Sequence, residues 1–439
     1  RSLCDWSSDV CSSDLGLMGS GCERCPAVYR LPKALTQVFQ SLFTKNLTSL
    51  LQAQQGDGEC ELQTKAFMAL PTLIYGVTGQ REVRRAKRRL VDIEQAPNVN
   101  VAILQEAARL TALRQEERLE HDGRLPRRRI VELVEAGLPG KAVARLEGHL
   151  QGGIAELDEE AKREVRELHP FSDASFPVDD PVLDQVASVI TAAEVAEALD
   201  NAPRLSASGQ SGWTYDLIRE VLSSDASRVV AAELLSVMSK GSMKVKQVWL
   251  ASRLVLIPKP TGGVRPLAVG EAWTRLLGRI LSKRATGPAS RHLAPIQFGI
   301  GVKGGVEVVS HLIQTASRAV LAADNLVIQS VDFANAFNCV SRTAIHDEIV
   351  THLPHLTAYV RWAYGGPAPV FSGSHHVVDA TSGVRQGDPL GPLLFSMALH
   401  PVLVHVRELY PEVEPLSERM KQLTRSCNGS WNPRQLWQN

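Results

Sequence analysis

Three segments hold residues whose types and spacing could do chemistry. Leu326–Asp332 (LVIQSVD) is an apolar run that ends in a carboxylate. An Asp at the mouth of a buried strand is one way to hold a hard cation, although such an Asp also serves as a turn or capping residue. Ser382–Phe395 (SGVRQGDPLGPLLF) is a polar, Gly-rich loop ending at Pro389, with an apolar helix expected from there to about Val406. Pro at a helix start, with glycines just before it, leaves backbone N–H groups accessible. The glycines allow close approach, and Gln386 supplies both donors and acceptors. The third segment is strand-like Arg253–Ile257, the turn PKPTGG, and a second strand from Val264. This predicts a hairpin bearing two cations, Lys259 and Arg265.

The elements that must position these residues follow from periodicity. Between 251 and 330 there are ten Lys/Arg against three Asp/Glu, a basic block suited to nucleic acid or nucleotide phosphate. Helical spacing covers Leu31 to about Gln55, with Pro32 near its start. The run Arg81–Arg89 (REVRRAKRR) on a helix could contact phosphates or simply be a solvated face. Short helices are expected over 130–136 and 141–150, around a Gly-Leu-Pro-Gly turn. The acidic, Pro-punctuated stretch from about 156 to 190 reads as a connector. Thr191–Glu194 is a capping box before a helix, and Thr214 heads another. A further helix is expected over Thr343–Leu353.

Composition sets outer bounds. The chain has 439 residues, 44% of them apolar and 22% charged, with a formal charge of +1. That excludes a disordered polyelectrolyte, a collagen-like fibre and a coiled coil. No apolar run approaches the roughly 20 residues of a membrane helix. Seven cysteines without framework spacing point to reduced thiols and an intracellular site. Cys22 and Cys25 make one Cys-x-x-Cys, but no second pair follows at zinc-finger spacing. Asp5–Leu15 (DWSSDVCSSDL) looks like a translated sequencing-library adapter, with a Ser-rich disordered tail as the alternative. From about Pro415 the chain loses periodicity and reads as an aberrant tail.

Taken together, IPKPTGGVRPLAVGEAW, QFGIG, SVDFANAFN and SGVRQGDPLGPLLF resemble a reverse transcriptase of the non-LTR retrotransposon type, in order and in approximate spacing. The resemblance covers about Leu199 to Pro411. It implies an α+β fold: an incomplete right-hand polymerase, fingers and partial palm, preceded by a mostly helical N-terminal region. The expected organisation is a tail (1–30), a helical region (31–155), an acidic connector (156–190), a helical lead-in (191–250), fingers and palm (251–414) and an aberrant tail (415–439).

The same resemblance assigns roles. Asp332 would bind both Mg²⁺ ions, with the backbone carbonyl of Phe333 contributing to one. Two metals about 4 Å apart activate the primer 3′-OH and stabilise the leaving pyrophosphate. Lys259 and Arg265 would hold the incoming triphosphate. Phe337 would exclude a 2′-OH, favouring deoxynucleotides; RNA-dependent RNA polymerases usually carry an Asp at that place. Gln386 and Gly387 would lie along nucleotide and template. The implied partners are an RNA template, a DNA primer and deoxynucleoside triphosphates, with no membrane and a nuclear location by analogy.

One departure stands out. The family's paired aspartates, on a strand–turn–strand after the helix, are absent, and neither Glu412 nor Glu414 sits in an evident hairpin. The expectation is therefore a truncated fragment without polymerase activity, or a nucleic-acid-binding relic. Three other patterns carry weaker signals. Gly299–Gly304 fits Gly-x-Gly-x-x-Gly but lacks a clear strand before it. His375 and His376 are neighbours in a strand-like piece, so they project to opposite faces. His346, His352 and His355 read as helix and loop surface.

Overall fold

The computed structural model describes residues 31–56, 60–77, 79–118, 157–172, 176, 189–258, 263–322, 328–410, 416–418 and 421–425. Lys259, the Cys22/Cys25 pair and the helices expected over 130–136 and 141–150 lie outside them. The chain divides into two compact units, and the fold is α+β in class. No described helix is long and apolar enough to cross a membrane.

The first unit comprises Arg1–His169, Ser188–Leu277 and Pro367–Ala380. It begins with α1 (Lys33–Gln55), α2 (Glu61–Ala69), α3 (Gln80–Glu94) and α4 (Val99–Arg118). In α1, Leu35, Phe39, Leu42, Phe43, Leu47 and Leu50 recur at helical spacing and are buried. Their target is an aromatic cluster. Phe43 and Phe67 pack on Trp213 and Trp273, all ring pairs lying within 6.0 Å, and Phe67 also meets Trp249 at 5.8 Å. Large rings bury the most apolar area per side chain, so the N-terminal helices and residues 213–273 share one core.

The capping signals hold. Thr191 Oγ1 accepts from Glu194 N–H at 3.3 Å and heads α6 (Ala192–Asp200). Thr214 Oγ1 accepts from Leu217 N–H at 3.1 Å and heads α7 (Tyr215–Val221). Next come α8 (Asp225–Ser239) and the short α9 (Lys246–Leu250).

The unit's sheet contains the expected hairpin. β1 (Ser252–Pro258) and β2 (Val264–Gly270) pair antiparallel, Ile257 opposite Arg265. β1 also pairs in parallel with β4 (Ala368–Ser372), and β4 antiparallel with β5 (His375–Ala380), giving the order β2-β1-β4-β5. The stretch read as an acidic connector contains α5 (Glu159–Glu167), capped by Asp158, whose Oδ1 accepts from Ala161 N–H at 2.7 Å. Its Ala161 and Val165 pack on Leu254, Leu256, Val264 and Val377 of the sheet. Glu164 accepts from Val264 N–H with both oxygens, at 3.0 and 3.1 Å. The acidic exterior hid a small apolar face with i, i+4 spacing.

The second unit comprises Pro170–Ala187, Gly278–Gly366 and Thr381–Asn439. Its helices are α10 (Ala272–Leu293, from Gly278 on), α11 (Gly305–Ala322), α12 (Ala336–Cys339), α13 (Arg342–His352), α14 (Thr357–Tyr364) and α15 (Gly391–Leu409). Helix α15 starts at Gly391 rather than Pro389, because Asp388 Oδ1 takes the Leu390 N–H at 2.9 Å and holds Pro389 in the loop. A second sheet has the order β3-β7-β6, from β3 (Ile328–Val331), β6 (Leu416–Glu418) and β7 (Lys421–Arg425), all antiparallel. A hairpin therefore stands where the sequence shows no alternation. Backbone pairing with β3 gives it strand form without an apolar pattern.

Candidate functional site

Asp332 directly follows β3 and is exposed, with half-buried Phe333 next to it. Four residues on, the chain enters α12 through Asn335, whose backbone is left-handed at φ 52°. Asn tolerates this conformation better than most residues. Asn335 Oδ1 accepts from Asn338 Nδ2 at 2.9 Å, which fixes the turn. Phe337, on α12, stacks on Phe395 of α15 at 5.3 Å between centroids. Its ring is thus held by the first turns of the helix that follows the Gly-rich loop.

That loop is built directly on α12. Val384 N–H donates to Phe337 O at 2.7 Å. Gly383 sits at φ 63°, and a Cβ there would lie 2.2 Å from the same oxygen. Only glycine meets both conditions. Gly387 also has positive φ, 99°, and is exposed, with Gln386 half-buried beside it. The structure therefore places Phe337, Gln386 and Gly387 on one assembly, with Asp332 five residues before Phe337.

The charged residues of the loop have a different task. Arg385 and Asp388 are buried and paired at 3.4 Å. Asp388 also accepts from the Tyr364 hydroxyl at 2.5 Å, and Arg385 lies 4.7 Å over the Tyr364 ring. Burial alone would lower the Arg385 pKa, but Tyr364 and Asp388 more than reverse that, and the guanidinium stays charged. Arg342 reaches into the same region, donating to the carbonyls of Gly383 (3.0 Å), Tyr364 (3.0 Å) and Gly366 (2.9 Å). Burial pulls its pKa down to about 10, with Arg385 adding repulsion. Arg342, Tyr364, Arg385 and Asp388 hold the loop, and sequence reading missed all four as a set. A run of Arg and Asp beside glycines looks solvated until its partners are known.

The donor set does not fit two Mg²⁺ ions. Val331, the last residue of β3, pairs with Gln422 of β7, and β7 pairs in turn with β6, Lys421 opposite Glu418. Strand β7 contains neither Asp nor Glu, so the strand beside β3 supplies no second carboxylate. Glu418 ends β6, and Glu412 and Glu414 lie outside the described residues.

The remaining expected residues are distributed over several elements. Arg265 is exposed on β2 of the first unit. The basic run lies on α3, with Ala86, Leu90 and Ile93 buried and Arg81, Arg84, Arg85, Lys87 and Arg88 exposed. Arg89 is structural: it donates to Leu73 O at 2.6 Å and pairs with Glu106 at 3.4 Å. His375 and His376 are exposed on β5, as expected. His346 is not on the surface. It is buried, stacked on Phe176 at 4.9 Å, and takes a hydrogen bond from Arg361 Nε at 3.1 Å. The Gly299–Gly304 turn leads into α11 as the helix signal required, with no strand directly before it.

Comparison with known proteins gives the chain its relatives. It is 29% identical over 248 residues to the retrotransposable element SLACS 132 kDa protein of Trypanosoma brucei gambiense, a stretch that is 54% of this chain and 20% of that protein. Over 172 residues it is 30% identical to the retrovirus-related Pol polyprotein from type-1 retrotransposable element R2 of Nasonia vitripennis, covering 36% and 16%. The chain is a relative of retrotransposon proteins. The corresponding R2 polyprotein of Popillia japonica is 31% identical over 176 residues, covering 35% and 23%. The chain thus spans less than a quarter of the length of each of these retrotransposon proteins. No protein-family model matches it.

Proposed function

We propose that this retrotransposon-protein relative carries the fingers and part of the palm of a reverse transcriptase, whose family activity is RNA-templated DNA synthesis by two-metal nucleotidyl transfer. The observation that carries the reading is the Ser382–Asp388 loop built on Phe337, five residues after Asp332. In this reading Asp332 and the Phe333 carbonyl would be this chain's share of a Mg²⁺ site that needs further carboxylates to be complete. Phe337 excludes the 2′-OH of a ribonucleotide. Gln386 and Gly387 lie along nucleotide and template, and Lys259 and Arg265 take the triphosphate. Template RNA, DNA primer and deoxynucleoside triphosphates are the partners, and nuclear DNA is the site of action.

A second reading is favoured by the single carboxylate after β3, with none on the paired strand β7: a nucleic-acid-binding relic that keeps the basic fingers and has lost the chemistry. Both readings predict binding of an RNA/DNA template–primer duplex that weakens steeply with salt. Fluorescence anisotropy across a salt series tests this. The expected result is a linear fall of log affinity with log salt; no binding, or a flat salt response, would sink both.

A further inference from the structure

Three side chains of the second unit converge away from Asp332 and from the Gly-rich loop. His292 is the penultimate residue of α10, and Glu348 and His352 lie one turn apart on α13. His292 Nε2 is 3.1 Å from Glu348 Oε2, and His352 Nε2 is 3.8 Å from the same oxygen. The three ligand atoms all lie within 4.8 Å of one another. The two imidazoles stack at 3.6 Å between centroids. An imidazole nitrogen and a carboxylate oxygen are both lone-pair donors, so the cluster is a set of three ligand atoms.

We propose that His292, Glu348 and His352 form a site for a divalent transition-metal ion of the Zn²⁺ class. Bonds of roughly 2.0–2.2 Å in a tetrahedron set ligand atoms about 3.4 Å apart, and the measured 3.1 and 3.8 Å bracket that value. Imidazole with carboxylate selects Zn²⁺, Co²⁺ or Ni²⁺ over Mg²⁺ and Ca²⁺, which prefer oxygen alone. His352 is exposed and ends its helix, so its ring can turn out of the stack to aim Nε2 at the ion. His400 of α15 is not a ligand. Its Nδ1 takes a hydrogen bond from Gln297 Nε2 at 3.3 Å, which leaves the proton on Nε2, and its ring meets His292 edge-on at 4.6 Å. It backs the His292 ring and keeps it facing Glu348. Three protein ligands leave the fourth position to water. The bound ion would tie the end of α10 to α13 across 56 residues of sequence.

The test uses the full chain carrying Cys22→Ser and Cys25→Ser, which removes the competing Cys-x-x-Cys. After chelator treatment, Co²⁺ is titrated with visible absorption as the readout, Zn²⁺ is used to compete it off, and melting is followed with each ion. The expected result is one Co²⁺ per chain with tetrahedral d–d bands, displaced by Zn²⁺, and a melting temperature raised by Zn²⁺ but not by Mg²⁺. His352→Asn and Glu348→Gln should each weaken binding by about tenfold or more, while Asp332→Asn leaves it unchanged. His352→Asn changes an exposed side chain, so its metal-free melting should match the parent. Absence of bound metal, equal binding by parent and variants, or a response to Mg²⁺ alone would overturn the site.

Discussion

Single residues decide how the loop after β5 is held. Asp388 meets the Tyr364 hydroxyl, the Arg385 guanidinium and the Leu390 N–H. Asp388→Ala leaves Arg385 charged and buried without its carboxylate, an arrangement that costs about 3 kcal/mol. Chemical denaturation should read that loss, and Asp388→Asn, which keeps part of the bonding, should lose less. Glu271 at the foot of α10 poses the opposite problem. It is fully buried, and burial raises its pKa even though Ser211 N–H and Oγ–H donate to it at 2.9 and 2.5 Å. A carboxyl with a raised folded pKa holds its proton longer in the folded state than in the unfolded one. Stability is then lost as pH rises from the ordinary carboxylate value towards the raised one. Glu271→Gln should therefore melt higher than the parent at pH 8, with the gap closing near pH 4. An equal gap at both pH values would contradict this charge account.

At the scale of elements, Gly383 carries the seat of the loop on α12. Gly383→Ala forces a left-handed Ala, worth about 1–2 kcal/mol, and drives a Cβ into Phe337 O. Denaturation should show a loss larger than the backbone term alone, and Gly387→Ala, in an exposed stretch, a smaller one. Much of this scale was legible. Thr191 and Thr214 mark helix starts because a hydroxyl there accepts an otherwise orphaned N–H. Pro-Thr-Gly-Gly between two apolar runs marks the β1–β2 turn. What stayed hidden depends on partners distant in sequence. Helix α5 reads as an acidic connector until Val165 is seen against Leu254. His352 is on the surface, as its sequence reads, but its stacking on His292, 60 residues away, shows only in the fold. Nothing local in Leu416–Arg425 announces strands, since β3 supplies their hydrogen bonds. The Asp332 segment was legible because its chemistry sits in a short continuous stretch.

For the whole molecule, a net charge of +1 conceals a basic block from 251 to 330 and an exposed basic face on α3. Those cations are what a polyanion would meet, so binding of template and primer should survive changes that abolish chemistry. Chemistry needs more. One carboxylate at the end of β3, with none on the paired strand β7, does not make a two-metal centre. The most direct test of that claim is primer extension by the 439-residue chain with Mg²⁺, an RNA template, a DNA primer and all four deoxynucleotides, beside Asp332→Asn. The account predicts that both proteins bind the duplex and that neither extends the primer above background. Robust extension by the parent chain, abolished in Asp332→Asn, would contradict it.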